Sequence, residues 1–219
     1  TGSKTMSLSD QHLAAIGDPM VREIAARGQW RVFPKNAVII NEGDRGESLF
    51  VIVSGRVKVY VSDDDGREMI LDTHGPGDYV GEMALDGRVR SASVMTLEPT
   101  ACAVVMRDDL RAAIAANPDI AMSLIATLIE RARIATDNVK NLALMDVYGR
   151  VARLLLQIAK EDANGKLIVP GRMTQQDIAD RVGASRDMIS RIFKDLTVGG
   201  YVTVDNRVIT IHRKPPSRW

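Results

Sequence analysis

The chain has 219 residues, room for two modest domains at the ~150 residues a domain usually takes, and 29 Lys and Arg against 28 Asp and Glu leave a formal charge of only +1. The near-neutral total hides two unlike parts: residues 1–146 carry 16 basic and 21 acidic groups (net −5), and residues 147–219 carry 13 and 7 (net +6). That asymmetry points to a polyanion contact in the C-terminal part, with an unengaged basic surface as the alternative. A single cysteine, Cys102, excludes an internal disulfide and an iron–sulfur cluster, and its apolar neighbours make it a core residue rather than a nucleophile.

No apolar run reaches the ~18 residues of a membrane span and no signal peptide is recognisable, so a cytoplasmic protein without membrane contact is expected. Residues Thr1–Thr5, ahead of Met6, read as a cloning remnant. Leu8–Arg27 has a helical pattern and is expected to pack against the β-rich region that begins near Trp30. From about Trp30 to Met106 the chain is dense in short β-prone runs: Val38-Ile-Ile-Asn, Leu49-Phe-Val-Ile-Val, Val57-Lys-Val-Tyr-Val, Met69-Ile-Leu and Ala92-Ser-Val-Met. Glycines at Gly43, Gly46, Gly55, Gly66, Gly75, Gly77 and Gly87 punctuate them, and Asp65-Gly66 signals a hairpin. Many short strands at this spacing predict an antiparallel barrel or sandwich, and residues 6–117 form the expected first domain.

Pro118 opens a stretch without Gly or Pro that runs to Asp146. Within it Ala121, Ile125, Leu128, Ala132, Ala135, Val139 and Leu142 alternate by four and three residues, a heptad seam. A helix of this length would be ~40 Å long at 1.5 Å per residue. One narrow seam on such a helix is most economically buried against a copy of itself, which predicts a parallel homodimer over 118–146; an intramolecular core helix is the alternative.

From residue 147 the pattern changes. Val151, Leu154, Leu155 and Ile158 mark an amphipathic helix, and Lys160–Lys166 reads as a polar connection. Thr174-Gln-Gln-Asp177 is a capping-box start for a helix through Ile178 and Val182 that ends at Gly183. Ser185 caps a second helix, with Asp187 near its positive end. Two short helices joined by a glycine turn are a helix-turn-helix signature. Tyr201-Val-Thr-Val, Asp205-Asn206 and Arg207-Val-Ile-Thr-Ile then read as a hairpin wing. On the second helix Ile189, Ile192, Phe193 and Leu196 form the inner face, and Arg186, Asp187, Ser190, Arg191 and Lys194 the outer one. Arginine forks suit guanine O6 and N7, a carboxylate suits cytosine N4, and hydroxyl and ammonium groups suit bases or phosphates. Thr174, Gln175, Gln176 and Ser185, at the two helix starts, are placed to meet phosphates. An ordinary solvated face is the alternative.

These parts together resemble the family of the cyclic-AMP receptor protein and the fumarate–nitrate regulator, over nearly the whole chain from about Leu8 to His212. Gly43-Asp-Arg-Gly-Glu-Ser-Leu-Phe-Val-Ile-Val-Ser-Gly55 and Gly75-Pro-Gly-Asp-Tyr-Val-Gly-Glu-Met-Ala-Leu-Asp-Gly-Arg-Val-Arg-Ser-Ala-Ser93 look like a cyclic-nucleotide-binding domain. The implied fold is α+β: an N-terminal antiparallel, jelly-roll-like β-roll, a long dimerisation helix, and a C-terminal winged helix-turn-helix over 147–219. A cyclic phosphodiester needs a cation, donors and an acceptor for its ribose hydroxyl. Arg90 supplies the forked cation, Ser91 a hydroxyl, and the amides after Gly81, through Met83 and Ala84, further donors. Glu82 accepts from the ribose, a role the resemblance also assigns it. Small residues at Gly81, Ala84 and Ala92 admit the ligand to the backbone. The alternative is that Glu82 and Arg90 pair with each other in a pocket that takes nothing.

Two departures bear on the ligand. The Glu82–Arg90 loop is shorter than in the cyclic-AMP receptor, and the consecutive hydroxyl residues that meet adenine there are matched by Ala135 and Thr136. Thr136 beside the seam, with Arg131 one turn earlier, retains a purine contact. The resemblance therefore implies cyclic AMP as effector, with cyclic di-GMP or no nucleotide as alternatives. It further implies a palindromic operator in double-stranded DNA with a half-site related to TGTGA, the base facing Asp187 left open, and RNA polymerase as a partner, although the short Lys160–Lys166 segment departs from relatives where they make an activating contact. A haem needs an axial ligand; of His12, His74 and His212 only His74 falls in the sensor region, where it reads as a satisfied surface or loop residue. No metal-ligand spacing, P-loop or G-x-S-x-G motif is found, so no metal, haem or enzymatic activity is expected. A nucleotide-sensing module that gates a protein partner is the competing functional class.

Overall fold

A computed structural model describes residues 10–14, 16–162, 165–170, 173–206 and 208–215, with all their side chains except those of residues 10, 11, 84 and 85. Thr1–Thr5, Leu8 and Arg207 lie outside the described residues. The helices are α1 (Asp10–Ala14), α2 (Pro19–Ala26), α3 (Arg107–Ala116), α4 (Asp119–Leu144), α5 (Val147–Ile158), α6 (Gln175–Val182) and α7 (Arg186–Val198). The strands are β1 (Gln29–Phe33), β2 (Val38–Ile40), β3 (Ser48–Ser54), β4 (Val57–Ser62), β5 (Glu68–His74), β6 (Tyr79–Val80), β7 (Ser93–Thr96), β8 (Thr100–Met106), β9 (Lys160–Glu161), β10 (Leu167–Val169), β11 (Val202–Asp205) and β12 (Val208–Ile211). Contacts divide the chain into two compact units, Thr1–Glu130 and Arg131–Trp219, so the division falls inside α4.

The first unit carries two antiparallel sheets of strand order β1-β8-β3-β6 and β2-β7-β4-β5. Strands β3 and β8 pair directly, with Leu49 opposite Val105 and Val51 opposite Ala103, and both are covered on both faces. Leu49, Val51 and Val53 of β3 and Ala101, Ala103 and Val105 of β8 pack with Ile24, Leu110 and Ile120 of the helices. The alternate residues Phe50, Ile52, Cys102 and Val104 meet Ile40, Val57 and Val94 of the other sheet. A side-chain period of two with apolar neighbours on each side explains these unbroken apolar runs. The expected β-roll is present.

Several elements differ from expectation. The helical stretch at Leu8–Arg27 is two helices, because Asp18 accepts hydrogen bonds from the amides of Met20 (2.7 Å) and Val21 (3.4 Å) and Pro19 opens a new first turn. Strand β8 had no alternation to mark it, being a central strand with both faces buried. The Asp65-Gly66 hairpin forms as expected, joining β4 to β5, with Gly66 at φ 76° and Asp63 accepting from the amides of Asp65 (3.1 Å) and Arg67 (2.9 Å). His74 is no loop residue: it ends β5, its side chain only 11% exposed, 3.6 Å from both Asp72 and Asp78.

Helix α4 has one buried residue, Ile120. Its seam stands open in the single chain, with Ile125 46%, Leu128 43%, Val139 66% and Leu142 41% exposed. In the second unit α5, α6 and α7 surround a core of Val151, Leu155, Ile178, Val182, Ile189, Ile192, Phe193 and Leu196. The wing β11–β12 turns at Asn206 (φ 49°) and belongs to a four-stranded sheet, β11-β12-β10-β9. Lys160–Lys166 is thus more than a connection, since Lys160 and Glu161 pair with Ile168 and Leu167. Arg150 of α5 ties this unit together, donating to the carbonyls of Met145 (2.9 Å), Val182 (2.8 Å) and Gly183 (3.4 Å). A cation among the unpaired carbonyls that end helices is favourably placed.

Cys102 has no exposed surface, and burial pushes its thiol up from an ordinary 9.0 to about 12. A thiol reagent at pH 8 should leave the folded protein unlabelled and label it fully once unfolded; rapid labelling of folded protein would contradict this packing. Because the unfolded thiol ionises first, the stability contribution holds below pH 9 and is lost towards pH 12, readable in denaturation curves.

Candidate functional site

Arg90 sits between the 3-10 turn Glu82–Asp86 and β7, and it is 6% exposed. Its backbone is held on the neighbouring loop: the Gly43 amide donates to the Arg90 carbonyl (2.9 Å), the Arg90 amide donates to Asp44 (2.8 Å), and Arg45 and Val89 form an antiparallel bridge. The guanidinium reaches inward. Nη1 donates to the Gly81 carbonyl (2.5 Å), and Nη2 to the Ser48 carbonyl (2.8 Å) and Oγ (3.3 Å). Two glycines clear its slot. A Cβ at Gly81 (φ 89°) would lie 2.7 Å from Nη1, and one at Gly46 would lie 2.5 Å from Nη2.

Desolvation draws the Arg90 pKa below its ordinary value, while the carboxylates of Glu82 and Asp44 push it back up. The result is a cation with little water, held by neutral carbonyls, whose Nε makes no hydrogen bond among the described residues. Such a group suits an oxyanion, because a charge-assisted bond gains strength where water is excluded. The residues present therefore fit a phosphodiester.

The other predicted site residues fall on the 3-10 turn, on the segment before β7 and on α4. Glu82 is half-buried at the start of the 3-10 turn and acts on Arg90 through its charge. The Ser91 hydroxyl lies 3.6 Å from the Met83 sulfur, and Met83 is 59% exposed. Ala92 is half-buried just before β7. Ala84 belongs to the turn, and its side chain lies outside the described set. Arg131 and Thr136 lie on α4 beyond Glu130, in the second unit, where the Thr136 hydroxyl donates to the Ala132 carbonyl (2.9 Å). Gly46 and Ser48 carry no site signal of their own in the sequence. Their motif was visible, but Gly46 read as a turn glycine, whereas what it provides is the space for Arg90.

In the second unit, the Thr174 hydroxyl accepts from the Asp177 amide (3.1 Å) and the Asp177 carboxylate accepts from the Thr174 amide (2.7 Å), the expected capping box. Gly183 ends α6 at φ 65°, and the Ser185 hydroxyl accepts from the Met188 amide (3.2 Å). With Ile189, Ile192, Phe193 and Leu196 buried, Arg186, Asp187, Ser190, Arg191 and Lys194 are all exposed. Gln176 donates to Asp180 on its own helix (2.6 Å). Gln175, Ser190 and Lys194 line a cleft of about 380 Å³ together with Phe193, Val204 and Ile209, so wing and recognition helix share one concave surface. No group of His, Cys, Asp and Glu side chains able to hold a metal occurs among the described residues.

A β-roll enclosing a desolvated arginine, followed by a winged helix-turn-helix with an exposed polar reading face, defines the class of ligand-responsive DNA-binding regulators. A family model described as cyclic nucleotide-binding domain matches residues 30–117, and one described as Crp-like helix-turn-helix domain matches residues 149–215. The cAMP-activated global transcriptional regulator CRP of Escherichia coli O6:H1 is 34% identical over 202 residues, 89% of this chain and 95% of that protein. The CRP-like cAMP-activated global transcriptional regulator of Mycobacterium tuberculosis H37Rv is 35% identical over 183 residues, 82% of each. Among solved structures, the c-di-GMP-responsive global regulator CLP of Xanthomonas campestris shares the fold at a TM-score of 0.78 and 24% identity, covering 89% of this chain and 98% of that one. The chain belongs to the CRP/FNR family of transcription regulators.

Gly46→Ala forces a methyl group onto the Arg90 guanidinium, which is tied down at three oxygens. Overpacking of this kind costs ~1–3 kcal/mol. The variant should unfold at lower temperature than the wild type by differential scanning fluorimetry; an unchanged transition would mean that Arg90 yields freely.

Proposed function

We propose that this protein is a cytoplasmic transcription regulator whose affinity for a palindromic operator is set by cyclic AMP bound at Arg90. The desolvated guanidinium between Gly46 and Gly81 carries the reading, and the cAMP-activated relatives at 34% and 35% identity support this effector. Bound cyclic AMP supplies one phosphodiester charge and a ribose hydroxyl. Arg90 and Ser91, with the amides after Gly81, meet the first, and Glu82 accepts from the second. Thr136 and Arg131, on the helix that carries the dimer seam, supply the purine contact, and the effector shifts the dimer only by its differential affinity for the two arrangements. The working parts are then the sensor 6–117, the dimer helix 118–146 and the DNA-binding domain 147–219.

A parallel dimer over the exposed α4 seam places two recognition helices ~34 Å apart, on successive major-groove faces. Arg186, Asp187, Ser190, Arg191 and Lys194 then address base edges and nearby phosphates, and Thr174, Gln175, Gln176 and Ser185 the backbone. RNA polymerase is the partner at the promoter, and the protein does not turn over its effector.

Calorimetry of the dimer against cyclic AMP, cyclic GMP and cyclic di-GMP distinguishes the effectors; tightest binding of cyclic di-GMP would replace cyclic AMP in this reading. Arg90→Leu should abolish effector-enhanced operator binding in fluorescence anisotropy while leaving the dimer intact by sedimentation, and an unaltered response would remove Arg90 from the pocket. Arg186→Ala should cost ~1–3 kcal/mol on the selected operator and relax one base position. Equal loss on random DNA would instead make Arg186 a phosphate contact.

A further inference from the structure

Between the two residues that shape the Arg90 slot lies Glu47, and it is gripped twice by one residue. The Arg107 amide donates to the Glu47 carbonyl (2.7 Å), and Arg107 Nη2 donates to the Glu47 carboxylate (2.6 Å). Arg107 is the first residue of α3, directly after β8, where Met106 pairs with Ser48. Residue 47 cannot shift without straining both bonds. Gly46, which makes room for the guanidinium, and Ser48, which accepts from it, shift with residue 47.

Arg107 also lies near the opposite wall. A Cβ at Gly87, in the loop between Glu82 and Arg90, would stand 3.8 Å from Arg107 Nη1. Its Nε is buried with no hydrogen-bond partner among the described residues. An unmet buried donor is costly and is rarely kept without a reason. Stability does not supply the reason, because the pair is partly open, with side chains 25% and 59% exposed, and such ion pairs contribute little.

We infer that Glu47 and Arg107 are positioning residues for the effector pocket: their clasp fixes the 46–48 segment that seats Arg90. The inference rests on the reading of Arg90 as the phosphate contact. It links the pocket to the start of α3 through two residues outside the set assigned to the effector.

The test is a charge exchange in the full-length protein. Glu47→Arg and Arg107→Glu should each weaken cyclic AMP binding about tenfold by calorimetry, with the melting temperature of the effector-free protein held near that of the wild type. The double variant E47R/R107E should recover most of the affinity, which a merely structural loss would not. A second measurement needs no effector: the Arg90 Nε–H signal in ¹⁵N-edited NMR, assigned by its absence in Arg90→Lys, should move in each single variant and return in the double one. Single variants with wild-type affinity and an unmoved Arg90 signal overturn the clasp, as does a double variant that restores neither. A wild-type protein that binds no cyclic nucleotide overturns the proposed effector instead, and the NMR comparison then decides the clasp alone.

Discussion

A guanidinium stripped of most of its water must be met by fixed oxygen acceptors, or it would not stay charged inside a β-roll. Arg90 meets this constraint with the carbonyls of Gly81 and Ser48 rather than with a carboxylate. Carbonyls hold the group in place without cancelling its charge, so the cation stays available to an anion. A bidentate carboxylate partner would satisfy the group more completely and leave a poorer receptor. Glu82 and Asp44 favour the charged form through space, a weaker influence than a carboxylate bonded to the guanidinium would exert.

The acceptors are only as well placed as the strands that carry them. Ser48 opens β3, the strand paired on one side to β8 and on the other to β6, which ends at Val80 immediately before Gly81. Both carbonyls that hold Arg90 therefore come from the margins of adjacent strands in one sheet. That sheet is packed by helices on one face and by the second sheet on the other. Covering both faces removes the freedom of an edge or a solvent-facing strand, and a pocket built on such strands keeps its geometry in the absence of ligand.

Much of this was legible in the sequence because the relevant signals are local. The capping box at Thr174, the glycine stop at Gly183 and the i, i+3, i+4, i+7 anchor from Ile189 to Leu196 are rules of neighbouring residues, and each is realised. The heptad seam of α4 was readable for the same reason. What escaped depends on tertiary partners. Strand β8 has no alternation because its two covers are distant in sequence, and β9 is too short to mark itself without β10 beside it. Asp18 and Pro19 are a local signal that an apolar helical pattern overrode. In the pocket, Arg90 and Glu82 stood out by type, but the place of Gly46 depends on a side chain 44 positions away filling the space a Cβ would need.

The formal charge of +1 acquires a different meaning once it is divided along the fold. A helix of 26 residues with a single buried side chain cannot retain its open apolar seam in water without cost, and a second copy is the simplest cover. Twofold symmetry repeats every surface of a chain, so a dimer of a family that binds DNA in pairs carries the basic surface of its C-terminal unit twice. Binding DNA as a dimer, as regulators of this family do, doubles the phosphate contacts for one loss of translational freedom, while a weak net charge limits indiscriminate attraction to DNA. The exposed side chains of α7 are in turn positioned by its buried face, Ile189, Ile192, Phe193 and Leu196, which anchors the helix to its own core and leaves the outer face free to differ without cost to the fold.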